Sequence, residues 1–443
     1  MTRRHGYALL TAIVALIVVV SAALCAGGAS GTGRLAAAPA TGHAPGHSAA
    51  PAAAGTWVAT WAAAPAAAEP GTETTGMAGR SVRNVVHTSV AGTSARITLS
   101  NLYGHSPLRV THATIAVAAG DATAAAATRT MRRITFAGAL SVVVPAGGQV
   151  MSDSVSIAVP RGGDVLVTIY SPTPSGPVTY HPQARQISYV AQGDRTEDVT
   201  GTPYTEQTAV WRWLSALDVF SDEADGTVVA LGDSITDGIT STVGADRRWT
   251  DVLSGRLRAA VEAGRDVPRY SVVNEGISGN QVLADGLGRP SDNPSGLNRF
   301  ERDVLERTGV KVVVIDLGVN DILRNPGRAD PELIIGGLRT LVTRAHARGL
   351  TVVGATLMPF GGYRMYTPAR EAVRQQVNAE IRDGQVFDAV VDFDRALRDP
   401  HDPLRLRGAY DCGDHLHPSD LGYRTMAEAF ELDLLNGAGQ AQL

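Results

Sequence analysis

Thr227-Val228-Val229-Ala230-Leu231-Gly232-Asp233-Ser234 decides the fold. A short apolar run reads as a strand and stops at a Gly-Asp-Ser turn, where a helical pattern takes over. Trp249, Leu253 and Leu257 then mark one face of a helix. The alternation continues to the end of the chain, with strands over 270–273, 311–317, 351–356 and 386–391. Helices are expected over 297–308, from Asp330-Pro331 with Ile334, Leu338, Leu341 and Ala345 facing inward, from Thr367-Pro368, and over 420–435. Asp or Thr followed by Pro is an N-cap with a first-turn proline. Strands and helices alternating at this length predict a parallel sheet with helices on both faces.

Upstream the style differs. Between about 80 and 199 the period is two, as in Arg96-Ile97-Thr98-Leu99-Ser100 and in Ser154-Val155-Ser156-Ile157-Ala158-Val159. Asp164-Val165-Leu166-Val167-Thr168-Ile169-Tyr170 is a further strand, and Gly/Pro turns at 145–148, 160–163 and 172–177 separate the runs. Short strands with such turns and no helical period predict an antiparallel sandwich or jelly roll. The expected division is a signal segment over 1–28, a linker over 29–55, a β-rich domain over 56–222 and an α/β domain over 223–437.

The linker is mostly Ala, Gly, Pro, Ser, Thr and His, with almost nothing to bury. Before it, Arg3 and Arg4 precede an apolar run from Ala8 to Cys25 and the small residues Ala26-Gly27-Gly28-Ala29. That is the layout of a secretory signal, so a secreted protein without stable membrane insertion is expected. The length of the run leaves an uncleaved membrane anchor as the alternative. Cys25 and Cys412 are the only cysteines, so loss of the signal leaves Cys412 as a lone thiol and the fold to rest on its cores. A net charge of -4, with Lys311 the sole lysine, gives no electrostatic reason to expect a nucleic-acid partner.

Four blocks fall just past strands or between the last strand and the last helix. They are Leu231-Gly232-Asp233-Ser234, Ile277-Ser278-Gly279-Asn280, Gly318-Val319-Asn320-Asp321 and Gly413-Asp414-His415-Leu416-His417-Pro418. In open α/β sheets the carboxyl ends of strands form the ligand edge, so the blocks can converge. Together they supply a nucleophile (Ser234), a base (His417) with a carboxylate three residues before it (Asp414), and oxyanion donors at Gly279 and Asn320. Each also has a plainer reading. Asp233 or Ser234 can cap a helix, Gly279 can serve a tight turn, and Asn320 can be a turn residue. Asp411, Asp414, His415 and His417 form an oxygen/nitrogen cluster that would suit a metal, which keeps a metal-dependent phosphoesterase as an alternative. A secreted carbohydrate-binding protein is the non-enzymatic alternative.

In the order of these blocks the chain resembles the SGNH hydrolases, the GDSL-type esterases and lipases, over roughly 227–435. The resemblance implies a flavodoxin-like α/β/α domain with a five-stranded parallel sheet and a serine ester hydrolase that needs no cofactor and no metal. It assigns Ser234 as nucleophile, His417 as base and Asp414 as its orienting carboxylate. It places the backbone N–H groups of Ser234 and Gly279 and the amide of Asn320 in the oxyanion hole, with Asp233 and Asp321 as supporting residues. The region from Trp57 to Val199 resembles the leader domain of larger secreted bacterial members. The substrate class implied is a small-molecule, glycan or lipid ester. The loops over 283–296 and 358–366 are expected beside the cleft, the second carrying Phe360, Tyr363 and Tyr366.

Overall fold

The β-rich half is built around two large antiparallel sheets, with two small ones beside them, Trp211–Arg212, Thr179–His181, Ala67–Ala68 and Leu108–Val110, Val142–Val144. The computed structural model describes residues 55–286, 293–325 and 329–436; the signal segment and nearly all of the linker lie outside the described residues. One sheet runs Thr56–Ala62, Leu214–Ser221, Gly92–Ser100, Val155–Val159, with Gln149–Met151 also pairing to Gly92–Ser100. The other runs Glu206–Thr208, Ser188–Gln192, Arg80–His87, Asp164–Ser171, His112–Val117, Arg132–Arg133. Ile97, Leu99 and Leu217 from the first sheet meet Val82, Ile115 and Val167 from the second in one core. Side chains that alternate across a strand make this sandwich possible.

The second half is the parallel sheet. Its strands are Gly226–Gly232, Tyr270–Gly276, Val310–Asp316, Thr351–Ala355 and Ala389–Val391, and every pairing is parallel. In spatial order the second strand lies outside the first, followed by the third, fourth and fifth. This is the flavodoxin-like order, and it places a topological switch point at the end of the first strand. Strand Gly226–Gly232 is buried at all seven positions because it lies between two neighbours and under helices. Helix Trp249–Glu262 buries Trp249, Leu253 and Leu257, and helix Pro331–His346 buries Ile334, Leu338, Leu341 and Ala345. Asp330 accepts from Glu332 N and Thr367 from Arg370 N, so both proline-marked starts are true caps.

Two helices differ from expectation. The span over 297–308 is a short helix, Gly296–Phe300, followed by a wider π turn, Glu301–Leu305, in which Asp303 is fully buried. Asp303 there meets Arg299 Nη1 at 3.2 Å and Arg302 Nε at 2.6 Å, polar contacts that no apolar period records. The last helix ends at Ala429, because Phe430 leaves helical geometry at ψ 105° and is itself buried; Leu432–Asn436 is a separate 3₁₀ turn.

Strand Thr56–Ala62 belongs to both halves. Val58 and Trp61 enter the sandwich core, while Ala59 and Ala62 enter the core of the parallel sheet. Ala59 N donates to Thr308 O at 3.1 Å and lies 3.2 Å from Thr227 Oγ1. No helix among the described residues is long and apolar enough to cross a membrane.

Candidate active site

The first strand ends against a one-turn helix, Ser234–Asp237. Asp233 caps it, its Oδ1 accepting from Ile235 N at 3.0 Å, and Gly238 closes it at φ 87°. Ser234 thus sits at the switch point on a fixed turn, 5% exposed. Its Oγ lies 2.8 Å from His417 Nε2. His417 Nδ1 lies 2.6 Å from Asp414 Oδ2, and Asp414 Oδ1 accepts from the backbone N–H groups of Leu416 and His417 at 2.9 and 2.8 Å. A carboxylate accepts only, so Nδ1 carries the proton in this pair and Nε2 is left to accept from the Ser234 hydroxyl. Burial raises the Asp414 pKa, but the bonds from the His417 ring and backbone outweigh it and hold the carboxyl well below its ordinary range.

The second block is a tight turn. Asn280 N donates to Ile277 O at 3.0 Å, and Gly279 stands at φ +80°, which favours glycine at that turn position. Asp237 Oδ2 holds the turn by accepting from Ser278 N at 3.0 Å and Ser278 Oγ at 2.6 Å. Gly276 is required by close approach, since a Cβ there would lie 2.3 Å from Asp237 N.

In the third block Asn320 Nδ2 donates to Asp233 Oδ2 at 3.2 Å, while its Oδ1 accepts from Arg324 Nε at 2.9 Å. The amide is thereby oriented, with one N–H still to give. Asp321 turns the other way and accepts from Val282 N and Leu283 N at 2.8 and 3.0 Å, which ties the third block to the chain leaving the second. Burial pushes Asp321 up to about 6 despite these bonds. Burial, with Asp316 and then Asp321 nearby, raises Asp233 well above its ordinary value.

Asp411 and His415 form a pair of their own, with His415 Nδ1 2.6 Å from Asp411 Oδ2. The four residues considered as metal ligands therefore fall into two Asp-His pairs. Among the described residues, the metal-compatible groupings are Asp411 with Cys412 and Asp414, and His87 with Asp164 and Asp246. Phe360 is fully buried and belongs to the core of the parallel sheet, whereas Tyr363 and Tyr366 are half-buried. The 358–366 loop does run beside the histidine loop, since a Cβ on Gly362 would lie 3.1 Å from the His415 ring. The 283–296 loop lies partly outside the described residues.

Sequence reasoning missed Arg299. Fully buried, it donates to Gly232 O at 2.9 Å, Glu275 O at 2.7 Å and Asn280 Oδ1 at 3.0 Å, tying the first and second blocks from beneath. It also missed His181, which reaches Asp237 from the β-rich half. An arginine inside an expected helix was the only available signal for the first, and nothing local marked the second.

Residues 230–425 match the family model described as GDSL-like Lipase/Acylhydrolase family. This part of the chain is a GDSL-type domain of the SGNH hydrolase superfamily, a class of acylhydrolases and esterases. No curated protein matches the chain in sequence. Among solved structures, a GDSL-like lipase from Bacteroides thetaiotaomicron is 19% identical over 46% of this chain and 85% of its own, with a TM-score of 0.33. An acetylxylan esterase from Geobacillus stearothermophilus is 23% identical over 47% of this chain and 96% of its own, at 0.35. An alpha/beta hydrolase enzyme from the metagenome of Lake Arreo is 22% identical over 49% and 98%, also at 0.35.

Proposed function

We propose that the protein is a secreted serine carboxylic-ester hydrolase. The observation that carries this reading is the line from Ser234 Oγ to His417 Nε2 at 2.8 Å and from His417 Nδ1 to Asp414 at 2.6 Å. Ser234 Oγ attacks the ester carbonyl as His417 takes its proton, and Asp414 keeps the imidazole in the accepting tautomer. The negative charge that develops on the carbonyl oxygen is met by the backbone N–H groups of Ser234 and Gly279 and by the remaining N–H of Asn320. His417 then gives its proton to the departing alcohol. Water, deprotonated by His417, attacks the acyl-enzyme and releases the acid. Arg3, Arg4 and the apolar run to Cys25 support export.

The test is covalent. A fluorophosphonate should add one label to the wild type and none to Ser234→Ala, read by intact mass, and only the wild type should hydrolyse p-nitrophenyl acetate. Equal labelling of both proteins would remove Ser234 from the mechanism.

A further inference from the structure

His181 and Asp237 form a buried pair that joins the β-rich half to the catalytic blocks. His181 ends the strand Thr179–His181, and Asp237 ends the helix that begins at Ser234. Their side chains are 6% and 2% exposed and meet at 2.9 Å, Nε2 to Oδ1. The other ring nitrogen, Nδ1, lies 2.9 Å from Ala64 O. Each ring nitrogen thus faces an oxygen acceptor. The Trp211 ring covers the imidazole, with centroids 5.6 Å apart.

Asp237 spends its second oxygen on the oxyanion turn. Oδ2 accepts from both Ser278 N and Ser278 Oγ, one residue before Gly279. Three donors on one buried carboxylate thus link His181, the nucleophile helix and the second block. A second, apolar contact repeats the arrangement, because Ile277 packs with Ala64 and Ala66, the segment whose carbonyl anchors His181. Arg185 Nη2 donates to Ser241 O and Arg248 Nη2 to Ala184 O, closing the same seam further along.

We propose that His181 is a positioning residue for the reaction: through Asp237 it fixes the Ser278-Gly279 turn relative to Ser234. The inference rests on the esterase reading above. All reacting groups come from the α/β half, but the geometry of one oxyanion donor is set from the β-rich half. Losing the Nε2–H leaves Asp237 buried with an unfilled acceptor site, which favours a shift of the turn it holds. A displacement of about 1 Å at a catalytic group is enough to cost on the order of 10²-fold in rate.

Two substitutions in the full chain separate positioning from anchoring. His181→Asn keeps a donor at the place of Nδ1, toward Ala64 O, but does not reach Asp237. His181→Gln places its donor at the place of Nε2 and reaches Asp237. With p-nitrophenyl acetate, folded His181→Asn should lose kcat by up to about 10²-fold with KM within about twofold, and His181→Gln should recover most of the loss. Wild-type kcat in folded His181→Asn, or equal impairment of both variants, overturns the proposal. If His181→Asn does not melt cooperatively, Ser278→Ala carries the test, since it cuts the link on the far side of Asp237. It should lower kcat at unchanged KM, and wild-type turnover would overturn the proposal. An active wild type with unaffected variants defeats this inference alone. A wild type that neither hydrolyses the ester nor takes the fluorophosphonate defeats the esterase reading and this inference with it.

Discussion

Asn320 Nδ2 donates to Asp233 Oδ2 at 3.2 Å, so the carboxyl group beside Ser234 aims the amide of a block 87 residues away. One N–H is used in being held, and in the proposed mechanism the other meets the substrate oxygen. If that donor acts only on the developing oxyanion, Asn320→Ala should lower kcat by on the order of 10²–10³. KM should stay near the wild-type value, so kcat and kcat/KM fall together. Full turnover in a folded variant would leave Asn320 as a turn residue.

Asp414→Asn should reduce kcat by on the order of 10⁴, because an amide N–H facing Nδ1 favours the tautomer with its proton on Nε2. Fold and melting temperature should change little, since the side chain is half-exposed and Asn can still accept from Leu416 N and His417 N. Turnover within tenfold of wild type would remove Asp414 from the proposed triad.

Asp316 gives the pH test. Burial pushes its carboxyl up to about 6, above the ordinary 3.8, although Thr236 Oγ1 donates to it at 2.9 Å. A carboxyl whose pKa is raised by folding adds stability fully present below about pH 4, lost as the pH rises through about 6. Across that window the wild type should therefore lose on the order of 2 kcal/mol relative to Asp316→Asn, which does not titrate. Urea denaturation at pH 4 and pH 7 measures the difference; parallel changes in both proteins would mean that Asp316 titrates normally.

Gly276→Ala should destabilise the protein by about 1–3 kcal/mol, because its Cβ meets the Asp237 backbone rather than a side chain that can move. A melting temperature equal to wild type would show that the two turns are free to separate.

Cys412 is exposed and precedes the Asp414 loop, with its backbone N–H donating to His417 O at 3.1 Å. That bond survives substitution of the side chain. Cys412→Ser should retain kcat within about twofold, and near-complete inactivation would give the thiol a role in the reaction.

The strand pattern made the parallel sheet legible, and with it the positions of Ser234, Gly279 and Asn320 just past three strands. A strand advertises itself locally through its apolar run and its turn, so such placement needs no tertiary information. The π turn at Glu301–Leu305 was not legible, because the ion pairs of Asp303 that accompany it leave no trace in an apolar period. Phe360 read as a cleft aromatic, since sequence does not tell which side of a loop faces the core. His181 and Arg299 lie in stretches without any catalytic pattern, and their partners are distant in the chain.

The strand shared by the two cores has a consequence for the order in which the molecule assembles. Ala59 rests on Thr227, 168 residues further along, and Thr56–Ala62 pairs with Leu214–Ser221. A chain emerging from the ribosome presents this strand long before anything exists to receive it. Closing so long a loop costs entropy, and non-local pairing of this kind slows folding. Strand Thr56–Ala62 is thus made early, and neither core is complete until it is seated.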